Sequence, residues 1–263
     1  MITAVKTGNI CGAAEFDSMN QNMLTIVYDN RKIDPHLKSG WGFSCHIAYA
    51  GKRILFDTGS DAKKLAFNLK QLNIDPTSLD GVVLSHSHWD HTGGLGAILD
   101  QGVKGPIFFP ETFPDSFKWR LGQKGILSCG IRDIKELSPG IFVGPEMRGS
   151  GPNEIPLVLE TDQGMVIITG CAHPDILKMI KEIKMIFGKS IYLVLGGFHW
   201  EFLWMIGGKA KQLKRLEVEN VAPCHCTGDR AIQKIKNEYG DHFLQIGVGL
   251  KIFLKDLKTA VDL

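Results

Sequence analysis

The sequence carries little net charge. Thirty Lys and Arg against 28 Asp and Glu leave a formal +2 over 263 residues. That excludes the strong basic field with which a chain gathers nucleic acid or an anionic membrane surface. Long apolar runs are missing too. The nearest candidate for a membrane span, residues 191–208, contains His199, Glu201 and two Gly-Gly pairs, and reads as buried protein. Residues 1–8 lack a basic start followed by an apolar stretch, so no signal peptide is expected. The six cysteines, Cys11, Cys45, Cys129, Cys171, Cys224 and Cys226, include one C-x-C and no paired C-x-x-C sets. Neither a disulfide framework nor a structural zinc knuckle is indicated, and reduced thiols in a cytoplasmic protein fit better.

What is present is an ordinary globular composition, 44% hydrophobic and 22% charged, at a length that one large domain can still hold around its core. A single domain is expected over residues 1–263, with residues 1–22 a leader of no assigned role. Residues 24–28 read as a strand ended by Asp29-Asn30. Residues 43–49 and 53–56 form a hairpin that delivers Asp57-Thr58-Gly59. Ser60-Asp61 opens a helix with Leu65, Leu69 and Leu72 at helical spacing, and Asp75-Pro76 closes it. Further on come a second hairpin (157–160 and 165–168), a helix with one apolar stripe (176–187) and an apolar strand (191–195). A short basic helix (209–216), a strand stub (221–222), a helix (229–239) and a returning strand (243–254) complete the chain. This alternation predicts a layered α/β protein. Residues 96–151, broken by prolines and rich in Phe108, Phe109, Phe113, Phe117 and Trp119, read either as substrate-covering loops or as core rings.

One stretch is dense in chemistry. Val82-Val83-Leu84 feeds into Ser85-His86-Ser87-His88-Trp89-Asp90-His91, three imidazoles and a carboxylate within six residues. Facing one point, such groups repel or desolvate one another unless a cation lies between them. Neutral imidazole and carboxylate are ordinary ligands of divalent metals, and four of them suit a pair of ions. His86 and His88 alternate and point the same way on an extended loop; Asp90 and His91 follow the turn and can face a second ion. Of nine histidines, six stand at strand ends: His86, His88, His91, His173, His199 and His225. Asp57 stands at another. Open α/β architectures build their sites at such ends. His36, His46 and His242 lack this placement and are read as structural. Cys171, Cys224 and Cys226 flank the histidines and read either as a thiolate site or as small buried thiols.

Asp57-Thr58-Gly59, His86-x-His88-x-Asp90-His91, His173 and His225 together resemble the metallo-β-lactamase superfamily. The resemblance implies a four-layer αββα sandwich with metals at one edge between the sheets. It implies that His86, His88 and His173 hold a first metal, that Asp90, His91 and His225 hold a second, and that Asp57 orients a ligand. The stations Asp29-Asn30, Gly42-Phe43-Ser44, residues 169–174, Gly196-Gly197-Phe198-His199 and His225-Cys226-Thr227-Gly228 look like a narrower branch. That branch includes the archaeal pterin–aminobenzene phosphate synthase alongside general metallohydrolases. One departure stands out. Most dinuclear members place a metal-bridging Asp at the strand end where this chain has Gly196-Gly197-Phe198-His199. His199 is the candidate there, either as a ligand or as an acid for the leaving group. His88, where oxygen-reducing di-iron relatives carry a carboxylate, aligns the chain with zinc-type hydrolases, although manganese, iron and magnesium also suit this ligand set.

The resemblance therefore implies an enzyme with one or two divalent metals, zinc foremost, and no further cofactor. The expected activity is hydrolysis of a small ester, phosphoester or lactone-like substrate by metal-activated water, with Asp90 and His199 as catalytic groups. The alternative is a transferase that displaces diphosphate from a pterin-like substrate. A small-molecule substrate is the expected partner. No membrane partner is expected, and nucleic acid is disfavoured by the modest charge and because RNA-processing members of the superfamily carry an additional domain or arm.

Overall fold

The structure is a computed structural model that describes residues 22–200 and 203–254. Its strands are β1 (Met23–Tyr28), β2 (Ser44–Tyr49), β3 (Lys52–Phe56), β4 (Gly81–Val83), β5 (Ile107–Pro110), β6 (Ser128–Ile131), β7 (Lys135–Ser138), β8 (Ile141–Val143), β9 (Leu157–Thr161), β10 (Gly164–Thr169), β11 (Ile191–Gly197), β12 (Val218–Cys224) and β13 (Lys251–Phe253). The helices are α1 (Ala62–Gln71), α2 (Trp89–Thr92), α3 (Leu95–Asp100), α4 (Asp115–Gln123), α5 (Ile176–Phe187), α6 (Leu203–Arg215) and α7 (Asp229–Tyr239). The strands form two mixed sheets, ordered β13-β1-β2-β3-β4-β5-β6 and β12-β11-β10-β9-β8-β7.

Three apolar clusters show how the layers stack. Leu24, Ile26, Ile47, Phe56 and Val83 of the first sheet meet Leu157, Val166, Ile168, Leu193 and Leu195 of the second between the sheets. The alternate residues face outward. Leu55 and Val82 pack under α1, α3 and α4 through Leu65, Leu69, Ile98 and Leu121. Met165, Ile167 and Val194 pack under α5, α6 and α7 through Ile180, Ile183, Leu213 and Ile235. A strand buried on both faces reads as a continuous apolar run, as β10 and β11 do. The result is the expected αββα sandwich.

Local sequence sets the helix starts. Asp61 caps α1 by accepting from the Lys63 and Lys64 amides at 2.8 and 3.0 Å, and Asp175 caps α5 by accepting from Leu177 N at 2.9 Å. The topology places the site. β3, β4, β5 and β6 run parallel, as do β10, β11 and β12. Within each run the C-terminal strand ends lie along one edge, where open α/β sheets build their sites.

The expected leader, residues 1–22, lies outside the described residues except for Asn22. Several expectations are corrected. The returning strand over 243–254 is confined to Lys251–Phe253. Gly249, at φ +96°, takes a backbone conformation that a strand does not use, and residues 243–250 run as a connection. The strand stub at 221–222 is the seven-residue β12. Its Pro223 is tolerated because β12 is the edge of its sheet, where a missing amide costs no ladder bond. The basic helix begins at Leu203 rather than 209. Residues 96–151 supply β5 to β8, and Phe108, Phe109 and Phe113 are buried in the core. These three rings follow the core alternative and Phe117 packs against Phe109 and Phe113, whereas Trp119 is exposed; the part of this stretch that abuts the candidate site is the loop near Gly149 and Gly151, packed on His173.

Candidate metal centre

The site grows from β3 and β4. Past the end of β3, Asp57 turns into the left-handed region at φ 56°, and its amide donates to Val83 O at 2.8 Å. Its carboxylate accepts from the Ser85 amide at Oδ1 and the Ser85 hydroxyl at Oδ2, both at 2.7 Å. The hydroxyl has one proton, so Ser85 Oγ accepts from His86 Nδ1 at 2.8 Å. Asp57 Oδ2 also accepts from His91 Nδ1 at 2.7 Å. One buried acid thus orients two imidazoles. Gly170 makes this possible from the opposite sheet: a Cβ there would lie 2.1 Å from Ser85 Oγ.

The other imidazoles are held in the same manner. Glu154, fully buried, accepts at Oε1 from the Thr169 hydroxyl and the amides of Gly170, Cys171 and Ala172 at 2.8 to 3.0 Å. Its Oε2 accepts from the His173 amide and His173 Nδ1 at 3.0 and 3.1 Å. Asn30 Oδ1 accepts from Gly42 N and from His225 Nδ1, each at 3.1 Å, and Asp29 Oδ1 accepts from the His225 amide at 3.1 Å. In His86, His91 and His173 the Nδ1 proton is committed to an oxygen, which leaves Nε2 with its lone pair, and His225 Nδ1 is held by Asn30 with its Nε2 turned to Asp90.

Those lone pairs converge. His86 Nε2 is 3.2 Å from His88 Nδ1, and His91 Nε2 is 3.2 Å from His225 Nε2. His225 Nε2 is also 3.2 Å from Asp90 Oδ2. Three-residue donor sets form at His86, His88 and His173, at Asp90, His91 and His225, at His86, His91 and Cys171, and at Cys171, His199 and Cys226, each with its ligand atoms within 4.8 Å of one another. Segments up to 139 residues apart (86 to 225) share one pocket. His199, exposed and with its ring 4.9 Å from that of His173, falls in the thiol set.

The electrostatics suit a cation. Burial, then the neighbouring His91, holds His86 well below the ordinary imidazole range. Burial, then His173, lowers His88. Burial, then His225, pushes His91 down to about 3. These rings are therefore neutral, the form that ligates metal. Burial opposes ionisation of Asp90, but the His225 hydrogen bond and the His91 charge outweigh it and hold the carboxyl well below its usual range. Glu154 behaves likewise through His173 and His86. His225 moves the other way: burial disfavours its charge, yet the hydrogen bond to Asp90 raises it. A proton is drawn to the same spot that would attract a metal cation. Facing ring nitrogens and an ionised acid, buried together, fit a divalent ion and little else.

Residues 45–179 match the family model described as the metallo-β-lactamase superfamily. The chain belongs to the metallo-β-lactamase superfamily. It is accordingly an enzyme of a fold that binds divalent metal. It is 34% identical over 247 residues to the 7,8-dihydropterin-6-methyl-4-(β-D-ribofuranosyl)-aminobenzene-5′-phosphate synthase of Methanocaldococcus jannaschii, covering 75% of this chain and 83% of that protein. Among solved structures, a metal-dependent hydrolase of the β-lactamase superfamily, Tm1679, superposes with a TM-score of 0.74 at 26% identity, covering 89% of this chain and 99% of that one. A diphosphatase of the PhnP family shares the fold, with a TM-score of 0.60 at 15% identity, covering 88% of this chain and 96% of that one.

As a metallo-β-lactamase-fold chain, this one brings Asp57, His86, His88, Asp90, His91, His173 and His225 together. Glu154 escaped the sequence reading. It stands in an irregular loop, joined to Met147 by an isolated bridge, and nothing in its neighbours marks it. Asn30 and Ser85 lay inside noted stretches without a role. Trp41 also escaped notice: its ring meets His225 edge-on at 5.1 Å and is 54% exposed. No helix among the described residues is long and apolar enough to cross a membrane.

Proposed function

We propose that this enzyme is a metal-dependent hydrolase of a small ester, phosphoester or lactone-like substrate. The observation that carries the reading is the set of four imidazoles whose Nδ1 atoms are fixed by oxygen partners while their Nε2 atoms converge beside Asp90. His86, His88 and His173 would hold one divalent cation, and Asp90, His91 and His225 a second, with zinc, manganese, iron or magnesium as candidates. A cation bound there supplies Lewis acidity at neutral pH, polarising the electrophile and making water a better nucleophile. Asp57, Glu154 and Asn30 keep the imidazoles in the ligating tautomer. Asp90, held ionised, would ligate the cation and orient the attacking water by accepting its hydrogen bond. Of the two roles weighed for His199, its place beside Cys171 and Cys226 supports that of a ligand.

A second reading is favoured by the 34% identity to the pterin-phosphate synthase and by Trp41, whose exposed ring offers a face to a planar heterocycle beside His225. In this reading the pocket binds a diphosphate leaving group, and an arylamine replaces water as nucleophile. The test is turnover of metal-loaded protein on phosphodiesters and lactones, and on a dihydropterin diphosphate with an arylamine. Hydrolysis that disappears in His86→Ala supports the first reading; a coupled pterin–arylamine product supports the second. Turnover unchanged in His86→Ala would discard both.

A further inference from the structure

Beside the two histidine sets lies a third cluster, which meets them at Cys171, whose Sγ is 3.2 Å from His91 Nε2. Cys171, His199 and Cys226 offer two sulfurs and a ring nitrogen within 4.8 Å of one another. They come from three different loops, each following the end of a parallel strand. The backbone fixes these loops to one another. Gly197 N donates to Gly170 O at 3.0 Å, Phe198 N donates to Thr227 Oγ1 at 3.0 Å, and that hydroxyl donates to Cys224 O at 2.7 Å. Cys226 Sγ lies 3.7 Å from Cys171 O. Both thiols are buried and reduced. His199 sits at φ 49°, a left-handed conformation that a non-glycine residue rarely adopts, and this turns its backbone at the end of β11.

We propose that Cys171, His199 and Cys226 form a third cation position in the pocket, which takes a thiophilic divalent ion such as zinc or cadmium through two thiolates and one imidazole. A tetrahedral ion with Zn–S near 2.3 Å places two sulfurs about 3.8 Å apart, so the set closes with side-chain shifts of about an ångström or less. Binding releases one proton from each thiol to solvent, and the ion takes the place of both. Soft thiolates select zinc-type ions over magnesium and manganese, whereas the imidazole–carboxylate sets accept all of these. The position therefore gives the pocket one site with a narrower metal preference than the other two. It goes beyond the proposed function and does not depend on which substrate the enzyme takes.

The experiment loads reduced, metal-stripped full-length protein with cobalt(II) under anaerobic conditions. It records the near-ultraviolet sulfur-to-cobalt charge-transfer band and the metal content by elemental analysis. Expected is a band in the wild type, its loss in Cys171→Ser/Cys226→Ser, and one bound ion fewer per chain in that variant. His199→Ala should weaken the band. X-ray absorption at the zinc edge of the wild type, which needs no variant to fold, should show a sulfur shell near about 2.3 Å. No band and no sulfur shell in the wild type overturns the proposal. So does a band that vanishes with Cys171→Ser alone but ignores Cys226→Ser and His199→Ala, because Cys171 would then serve the His86–His91 set. Either failure leaves the imidazole–carboxylate sets, tested separately through His86→Ala, untouched.

Discussion

His46 illustrates what a single buried imidazole does to this protein. It lies in β2 with both ring nitrogens buried and without a hydrogen-bond partner, and burial, then Arg53, pushes it down to about 4. Its folded value is lowered, so the unfolded chain binds the extra proton between about pH 6.5 and pH 4. Stability is full above that window and falls as pH drops through it, by up to about 3 kcal/mol from this residue. His46→Leu should flatten that part of the acid limb in urea titrations at several pH values; an unchanged slope would show that the ring is solvated. Glu154 is the opposite case, a buried anion with six donors. Glu154→Gln turns one acceptor oxygen into a donor facing amides, and should lower stability by about 3 kcal/mol. Metal affinity should fall about 10- to 100-fold with it. Isothermal titration and denaturant melts read both, and parent-like values would contradict the role given to this carboxylate.

At the scale of elements, the sequence was legible where chemistry and punctuation coincide. The β4 strand passes straight into residues 85–91, and Asp57, His173 and His225 each follow an apolar strand, so their station was visible without coordinates. The helices with clean apolar stripes, α1, α5 and α7, were equally plain. β6 and β7 were not, since Ser128–Ile131 and Lys135–Ser138 are short and half exposed and carry no period-two signal. β12 was masked by Glu219, Asn220 and Pro223; Asn220 is in fact used, donating to Tyr192 O at 3.0 Å. Glu154 could not be read at all, because its partners lie 15 to 19 residues away across a turn. The joint between the sheets gives a test at this scale. Gly170→Ala should push Ser85 away from Asp57, loosening His86 and His91 together. Expected is a loss of metal affinity of about 10-fold or more with the secondary structure kept by circular dichroism. Equal affinity would mean that the close approach is unimportant.

Across the whole molecule, the sandwich serves one purpose at one edge. The first sheet contributes Asp57 and residues 86–91, and the second contributes His173, His199 and His225. A cation held between them, as proposed, would tie the two sheets and favour the folded chain. Its removal by a chelator should therefore lower the melting temperature, corresponding to about 2.7 kcal/mol when the free metal stands at 100 times its dissociation constant. A melting curve indifferent to chelation and re-addition would separate metal from fold. The most direct measurement is anomalous diffraction at the absorption edge of the bound metal, from crystals of the loaded protein. Peaks within ligating distance of His86, His88 and His173, or of Asp90, His91 and His225, are expected. Metal found only elsewhere in the crystal, with those side chains bare in protein that turns over substrate, would contradict the central claim.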